Sequence, residues 1–258
     1  MNSGLAAPVA IVTGGSTGIG LSTVTTLLDA GYRVAFFSHN AQHLHQAERE
    51  LIARYEQTNI LADCVDVRLH DAVDAFFSTV QERWQVIDAL VCNAGISPKG
   101  INGAVPFEDV DTAQWQDVLS VNLTGAVWCC QAALKRMKPR GVGRVVLIGS
   151  VAGRAIPRIA GAPYVASKAA MAGVARSMVA ACHGSSITVN VVAPGRIATD
   201  MAGDPRSTTN IEALARIPVA RLGTTGDIAA LIRFLLSKDA GFINGAIIDV
   251  NGGEFAPL

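Results

Sequence analysis

Val9-Ala10-Ile11-Val12-Thr13-Gly14-Gly15-Ser16-Thr17-Gly18-Ile19-Gly20 is the stretch that decides the fold. Five apolar or β-branched residues read as a strand, and residues 18–29 continue with helical spacing. Between them lies a glycine loop. Gly14 suits a turn closed to residues with a Cβ, Gly18 lets a diphosphate approach the backbone, and Gly20 lets the helix pack close to the strand. With Ser16, Thr17 and Ile19, these glycines form a candidate phosphate-binding turn at a helix N-terminus, where free N–H groups and a partial positive charge meet an anion. No Lys follows the loop, which disfavours a P-loop nucleoside triphosphatase.

Outward from this turn the same alternation repeats. Strands are expected at residues 33–37, 59–65, 87–92, 145–148, 187–192 and 246–250. Helices are expected at 42–55, 71–84, 112–138, 163–182 and 226–235. The strands are nearly all apolar, as a sheet covered on both faces requires. The expected fold class is therefore α/β. It is a single doubly wound parallel sheet (Rossmann fold) of about seven strands with helices on both faces, one domain over residues 1–258. A TIM barrel is the rival, but eight clean βα units cannot be counted. In an open sheet of this kind ligands bind beyond the carboxyl ends of the strands.

Composition narrows the function. Half of the 258 residues are hydrophobic and 16% are charged, against a usual share of about 25%, so a sizeable core is expected. Lys plus Arg and Asp plus Glu both number 21, and this balance argues against a nucleic-acid partner. No apolar run approaches the ~18 residues of a membrane span. The apolar stretch from Leu5 to Val12 has no basic residue before it and reads as a strand rather than a signal peptide. Cys64, Cys92, Cys129, Cys130 and Cys182 form no C-x-x-C pair, so reduced, mostly buried thiols in a cytoplasmic protein are expected. No His/Cys/Asp cluster suggests a metal.

Two further strand ends carry chemistry. Phe37-Ser38-His39-Asn40 lies ~20 residues past the glycine loop, where an adenosine ribose is expected. An NAD site usually puts a carboxylate there, and this sequence has none. Ser38, His39 and Asn40 can instead donate hydrogen bonds to a 2′-phosphate, which favours NADP(H) over NAD(H). Tyr164 and Lys168 stand at i, i+4 on one helix face, and a nearby cation favours the phenolate of a tyrosine. Ser150 closes a strand, Asn93-Ala94-Gly95 ends another, and Pro194-Gly195 a third. Asn122 interrupts an otherwise apolar helix, which costs stability unless its amide is partnered.

Along nearly its whole length the chain resembles the short-chain dehydrogenase/reductase family. Thr13 to Gly20 is similar to the family's T-G-x-x-x-G-I-G, and residues 92–95 to N-N-A-G with Cys first. Residues 194–199 are similar to P-G-x-I-x-T, and residues 221–223 with 249–253 to the 3-oxoacyl-(acyl carrier protein) reductase branch. The resemblance implies a catalytic set of Asn122, Ser150, Tyr164 and Lys168. Tyr164 would be the proton donor, Ser150 the partner of the carbonyl oxygen, Lys168 the cation that lowers the tyrosine pKa and holds the nicotinamide ribose, and Asn122 the support of a water. It implies that Asp66 and Val67 hold adenine, and that Pro194, Gly195, Ile197 and Thr199 cover the nicotinamide. The expected activity is NADP(H)-dependent interconversion of a carbonyl and a secondary alcohol. The alternative is an NAD-dependent sugar, polyol or secondary-alcohol dehydrogenase.

Residues 179–185 are apolar or small where that branch carries Arg and Glu, which argues against docking of a carrier protein. Arg154 and Arg158 flank the expected pocket entrance, where they attract an anion or are simply solvated. Residues 197–217 break the regular pattern with Gly203, Pro205 and a polar run, and read as a substrate lid anchored by Thr199 and lined by Met201 and Ile211. Val127, Trp128, Cys129, Ala132 and Ala133 on one helix, with Met171, Val174, Met178 and Val179 on another, suggest apolar surface left for a partner. In resembling proteins such helices pair across a two-fold axis, so a homotetramer is expected.

Overall fold

The computed structural model describes residues 7–100, 103–204 and 206–257; Leu5 and Pro205 lie outside them. Strands β1 (Val9–Thr13), β2 (Arg33–Ser38), β3 (Ile60–Cys64), β4 (Ala89–Cys92), β5 (Val142–Ile148), β6 (Ser186–Pro194) and β7 (Ile247–Val250) form one sheet in the order 3-2-1-4-5-6-7. Every neighbouring pair is parallel. The order reverses at β1, between β2 and β4, and that switch point is where the carboxyl ends of the strands diverge and leave a crevice.

Helices α1 (Gly18–Asp29), α2 (Ala41–Ile52), α3 (His70–Trp84), α4 (Thr112–Leu119), α5 (Gly125–Met137), α6 (Ala162–Ala181), α7 (Thr208–Arg216) and α8 (Thr225–Leu236) lie in the connections between the strands. The pleat of β2 sends Phe36 and Phe37 to opposite faces. Phe36 joins Val24, Leu27, Leu44, Ile228 and Ile232 in the layer of α1, α2 and α8. Phe37 joins Phe76, Phe77, Met137, Met171 and Met178 in the layer of α3, α5 and α6, with its ring edge-on to Phe76 at 5.0 Å. Two buried layers account for strands that are apolar on both faces.

The expected helix over 112–138 is interrupted. Ser120–Thr124 forms a π-turn between α4 and α5, with Asn122 at its centre and buried. The extra residue per turn swings Asn122 inward toward polar partners that a regular helix at this position would not reach. At the next step Gly125 lies so close to Val67 that a Cβ would stand 2.6 Å from the valine Cγ2.

The apolar surface expected on α5 and α6 is smaller than the sequence suggests. Cys129, Ala132, Ala133, Met171 and Met178 are buried in the chain's own core, because their helix faces turn to the sheet. Val127, Trp128, Val174 and Val179 remain half-buried. Phe242 is fully exposed and Phe234 partly so, both close in sequence to edge strand β7. Of the cysteines, Cys64 is exposed and the other four are buried, all as free thiols. No helix among the described residues is long and apolar enough to cross a membrane.

Candidate active site

The glycine loop behaves as its composition requires. Gly14 and Gly18 have φ of +63° and +54°, in the left-handed region. A Cβ on Gly20 would stand 2.1 Å from the Gly14 carbonyl oxygen, so this position serves packing. The Thr17 side chain does not cap α1, and no acidic residue lies in the first turn, so the α1 N–H groups stay open to an anion. By contrast Asn40 caps α2, Asp111 caps α4, Ser207 caps α7 and Thr224 caps α8. The open helix end, backed by close glycines, fits a dinucleotide diphosphate.

The loop is braced across the switch point. Thr13 Oγ1 accepts from the N–H groups of Asn93 (3.0 Å) and Ala94 (2.9 Å). Asn93 Nδ2 donates to the carbonyls of Thr13 and Gly14, each at 3.0 Å. Both Asn93 amide hydrogens are thus spent on the glycine loop, so the side chain shapes the cofactor site from behind.

A cavity of about 940 Å³ opens at this sheet edge. Gly14, Ser16, Thr17, Gly18 and Ile19 line it, as do Ser38, His39, Asn40, Asp66, Val67, Asn93, Ala94 and Gly95. Ser150, Tyr164, Lys168, Pro194, Gly195, Ile197 and Thr199 complete the predicted set on its wall. Gly20 and Asn122 stand behind the wall.

At the ribose end, Ser38 Oγ accepts from the Asn40 N–H at 3.3 Å, which leaves its own proton to donate. Asn40 Oδ1 accepts from the His43 N–H at 3.0 Å as the α2 cap, so only its amide hydrogens face a ligand. His43 also lines the cavity, a position that strand-end reasoning misses because it belongs to the following helix. The Asp66 carboxylate is engaged by Arg68, which reaches on to Asp117 at 2.8 Å. The Arg68 guanidinium holds the Asp66 pKa below the usual carboxylate range. Asp66 is therefore already paired, an arrangement its position alone does not reveal.

At the opposite end Tyr164, Ser150 and Lys168 converge. Lys168 is buried, donates from Nζ to the Ile148 carbonyl at 2.8 Å, and stands 5.7 Å from the Tyr164 ring centroid. Burial pushes its pKa down to about 8. Burial also raises the Tyr164 pKa above 10.0, and the nearby Ser150 hydroxyl offsets part of that rise. Desolvation outweighs that hydrogen bond, so the phenol keeps its proton at neutral pH.

Asn122 is fully partnered. Its Oδ1 accepts from the Ile96 N–H at 2.7 Å, and Nδ2 donates to the Ile96 carbonyl at 2.9 Å and to Ser167 Oγ at 3.1 Å. Ser167 in turn donates to the Tyr164 carbonyl at 2.7 Å. Ser167, in plain view inside Tyr164-Val165-Ala166-Ser167-Lys168, thus ties the tyrosine helix to the loop after β4.

The segment 197–217 contains α7, which the sequence reading leaves irregular. Arg196 holds it, donating from Nε to Asn210 Oδ1 (2.7 Å) and from Nη2 to the Ala202 carbonyl (2.8 Å). Thr199 stands over Gly18, its Cγ2 3.5 Å from where a Cβ would be. Met201 and Ile211 are both exposed, and Met201 lines the cavity. Arg154 pairs with Asp249, whereas Arg158 is exposed on the cavity wall.

A glycine loop, an uncapped helix end and a Tyr–Lys–Ser set at one sheet edge coincide with a family match. The short chain dehydrogenase model aligns with residues 8–210. The chain belongs to the short chain dehydrogenase family. It is 37% identical over 244 residues to the 3-oxoacyl-(acyl-carrier-protein) reductase MabA of Mycobacterium tuberculosis, covering 94% of this chain and 91% of that protein. Among solved structures it is similar to a 3-oxoacyl-(acyl-carrier protein) reductase with bound NAD from Brucella melitensis. That match has a TM-score of 0.88 and 30% identity, over 96% of this chain and 92% of that one. It is also similar to ElxO with NADP bound, with a TM-score of 0.87 and 27% identity, over 96% and 98% of the two chains. This short chain dehydrogenase is thus an oxidoreductase of an NAD(P)-dependent family, and both cofactors occur among its structural neighbours.

Proposed function

We propose that this short chain dehydrogenase is an NADP(H)-dependent reductase that converts a carbonyl to a secondary alcohol. The observation that carries the reading is the meeting of Tyr164, Ser150 and Lys168 at one end of a cavity whose other end is the glycine loop. The cofactor, when bound, supplies the hydride. Tyr164 holds its proton through neutral pH because it is buried, and gives it to the carbonyl oxygen as negative charge develops there. The phenol O–H bond breaks and the product O–H bond forms. Ser150 donates to the same oxygen, and the Lys168 ammonium stabilises the phenolate left behind. The absence of a carboxylate at the end of β2, with Ser38, Asn40 and two histidines around it, supports the choice of NADP(H). The apolar stretch at 179–185 supports a small-molecule substrate rather than a carrier-bound one, and the free thiols fit a reducing cytoplasm.

Residues 197–217 act as the lid. Amides in 198–204 and 206–213 are expected to exchange more slowly with NADP(H) bound, and equal protection with and without it would refute closure. The whole reading is tested by Tyr164→Phe. Folding and cofactor binding persist, and turnover falls by about 10²–10⁴. Turnover near that of the native enzyme would end the mechanism.

A further inference from the structure

The two ends of the cavity treat their cations differently. At the ribose end Arg68 meets two carboxylates, Asp66 and Asp117. Around the substrate end Arg154 meets Asp249 and Arg216 meets Glu254. Lys99, Arg158 and Arg196 line that same end, and none forms an ion pair among the described residues. The remaining lining acid there, Asp200, is exposed and pairs with none of them.

Lys99 and Arg196 are held close together. Lys99 Nζ donates to the Met201 carbonyl at 3.4 Å, and so leans from the loop after β4 onto the lid. Arg196 reaches the same lid segment through the Ala202 carbonyl, and its Nη1 makes no hydrogen bond among the described residues. Burial lowers the pKa of Lys99, and the Arg196 charge lowers it further. Arg196, half-buried, is itself depressed by burial, an effect that the Glu254 carboxylate, paired with Arg216, only partly offsets. Two like charges brought together with no carboxylate bonded to either repel, and an anion placed between them removes that cost. Lys99 lies three residues beyond Ile96, whose backbone Asn122 clamps beside the reacting groups. The hydrogen bonds of Lys99 and Arg196 go to Met201, Asn210 and Ala202 and to none of Tyr164, Ser150 and Lys168, so an anion held by them is separate from the carbonyl that Tyr164 meets. Exposed apolar residues at the rim, Ile156 and Met201, suit the carbon chain between the two ends.

We propose, on the reading that the chain reduces a carbonyl, that its substrate carries a carboxylate at the end remote from that carbonyl. Lys99 and Arg196 hold this carboxylate, with Arg158 at the rim. The phosphates of a coenzyme A thioester would be the other source of such a charge.

The test measures kcat/KM for methyl-ketone carboxylic acids of increasing chain length, each against its neutral methyl ester. A coenzyme A thioester against the N-acetylcysteamine thioester of the same acyl group forms a second pair. The enzymes are the native protein, Lys99→Met and Lys99→Arg. The native enzyme is expected to prefer one or more acids over their esters by at least about tenfold, mainly through KM. Lys99→Met brings that ratio near one, and Lys99→Arg restores much of it. No preference for any acid in the native enzyme, or a preference that survives Lys99→Met, overturns the proposal. A loss confined to the coenzyme A pair also overturns it, and assigns the cations to the carrier's phosphates. If no ketone, acid or ester, reacts with either cofactor, the reductase reading itself fails. Calorimetry of hexanoate binding to the cofactor-loaded protein then decides the anion site separately. Binding at least about fivefold weaker in Lys99→Met supports it, and equal or undetectable binding in the native protein refutes it.

Discussion

Asn122 grips both sides of one peptide residue, accepting from the Ile96 N–H at 2.7 Å and donating to the Ile96 carbonyl at 2.9 Å. This clamp fixes the loop after β4 against the tyrosine helix through Ser167, so the asparagine positions Tyr164 without reaching the cavity. Asn122→Ala leaves two backbone groups and a buried serine short of partners. Each unsatisfied group costs about 1–3 kcal/mol, so denaturant unfolding is expected to show a loss of a few kcal/mol. Turnover falls through kcat while the NADPH dissociation constant moves little. Unchanged stability would remove the clamp from the account.

The proposed preference for NADP(H) rests on the end of β2. NADPH is expected to raise the melting temperature more than NADH at equal concentration, because a ligand stabilises in proportion to its affinity for the folded chain. Ser38→Asp reverses the order. Its carboxylate can accept from the Asn40 N–H as Ser38 does now, yet it repels a 2′-phosphate. A native preference for NADH of tenfold or more contradicts this assignment.

Lys168 ties stability to pH. Its folded-state pKa of about 8 lies below the 10.5 of the free side chain, so between these values the unfolded chain binds the extra proton. Stability contributed by this site is lowest below pH 8 and rises as pH climbs through that window. The cost below pH 8 is of the order of 3 kcal/mol. Lys168→Met is therefore expected to unfold at higher denaturant than the native chain at pH 7, with the difference shrinking by pH 9.5 or so. A constant difference across that range would show that the lysine is not desolvated.

Assembly is tested by light scattering at micromolar concentration. A homotetramer remains the expectation, with the half-buried Val127, Trp128, Val174 and Val179 at one interface, and edge strand β7 with Phe242, exposed in the segment that leads into it, at the other. A monomer refutes both interfaces. A dimer that Phe242→Ser leaves intact removes the second.

Most of the fold was legible because its signals are local. Apolar runs of strand length, helical spacing and glycines at fixed offsets recur along Val9–Thr13, Arg33–Ser38 and their successors, and each follows from backbone sterics within a few residues. Two failures were non-local in origin. The π-turn at Ser120–Thr124 and the helix Thr208–Arg216 are set by partners far along the chain, Ile96 and Ser167 for the first and Arg196 for the second.

The sequence by itself determined which residue types stand at the strand ends, and therefore that a glycine loop, a tyrosine–lysine pair and a serine share one edge of a parallel sheet. Parallel pairing sends every strand's carboxyl end the same way, so this much needs no coordinates. Only the tertiary structure decided how these groups are charged and who holds them. Burial makes Tyr164 a stronger holder of its proton and Lys168 a weaker one, Arg68 occupies Asp66, and Arg154 is spent on Asp249 while Lys99 and Arg196 form no ion pair among the described residues. Desolvation and ion pairing depend on every atom within a few ångströms, and those atoms come from segments as far apart in the chain as Lys99 and Met201.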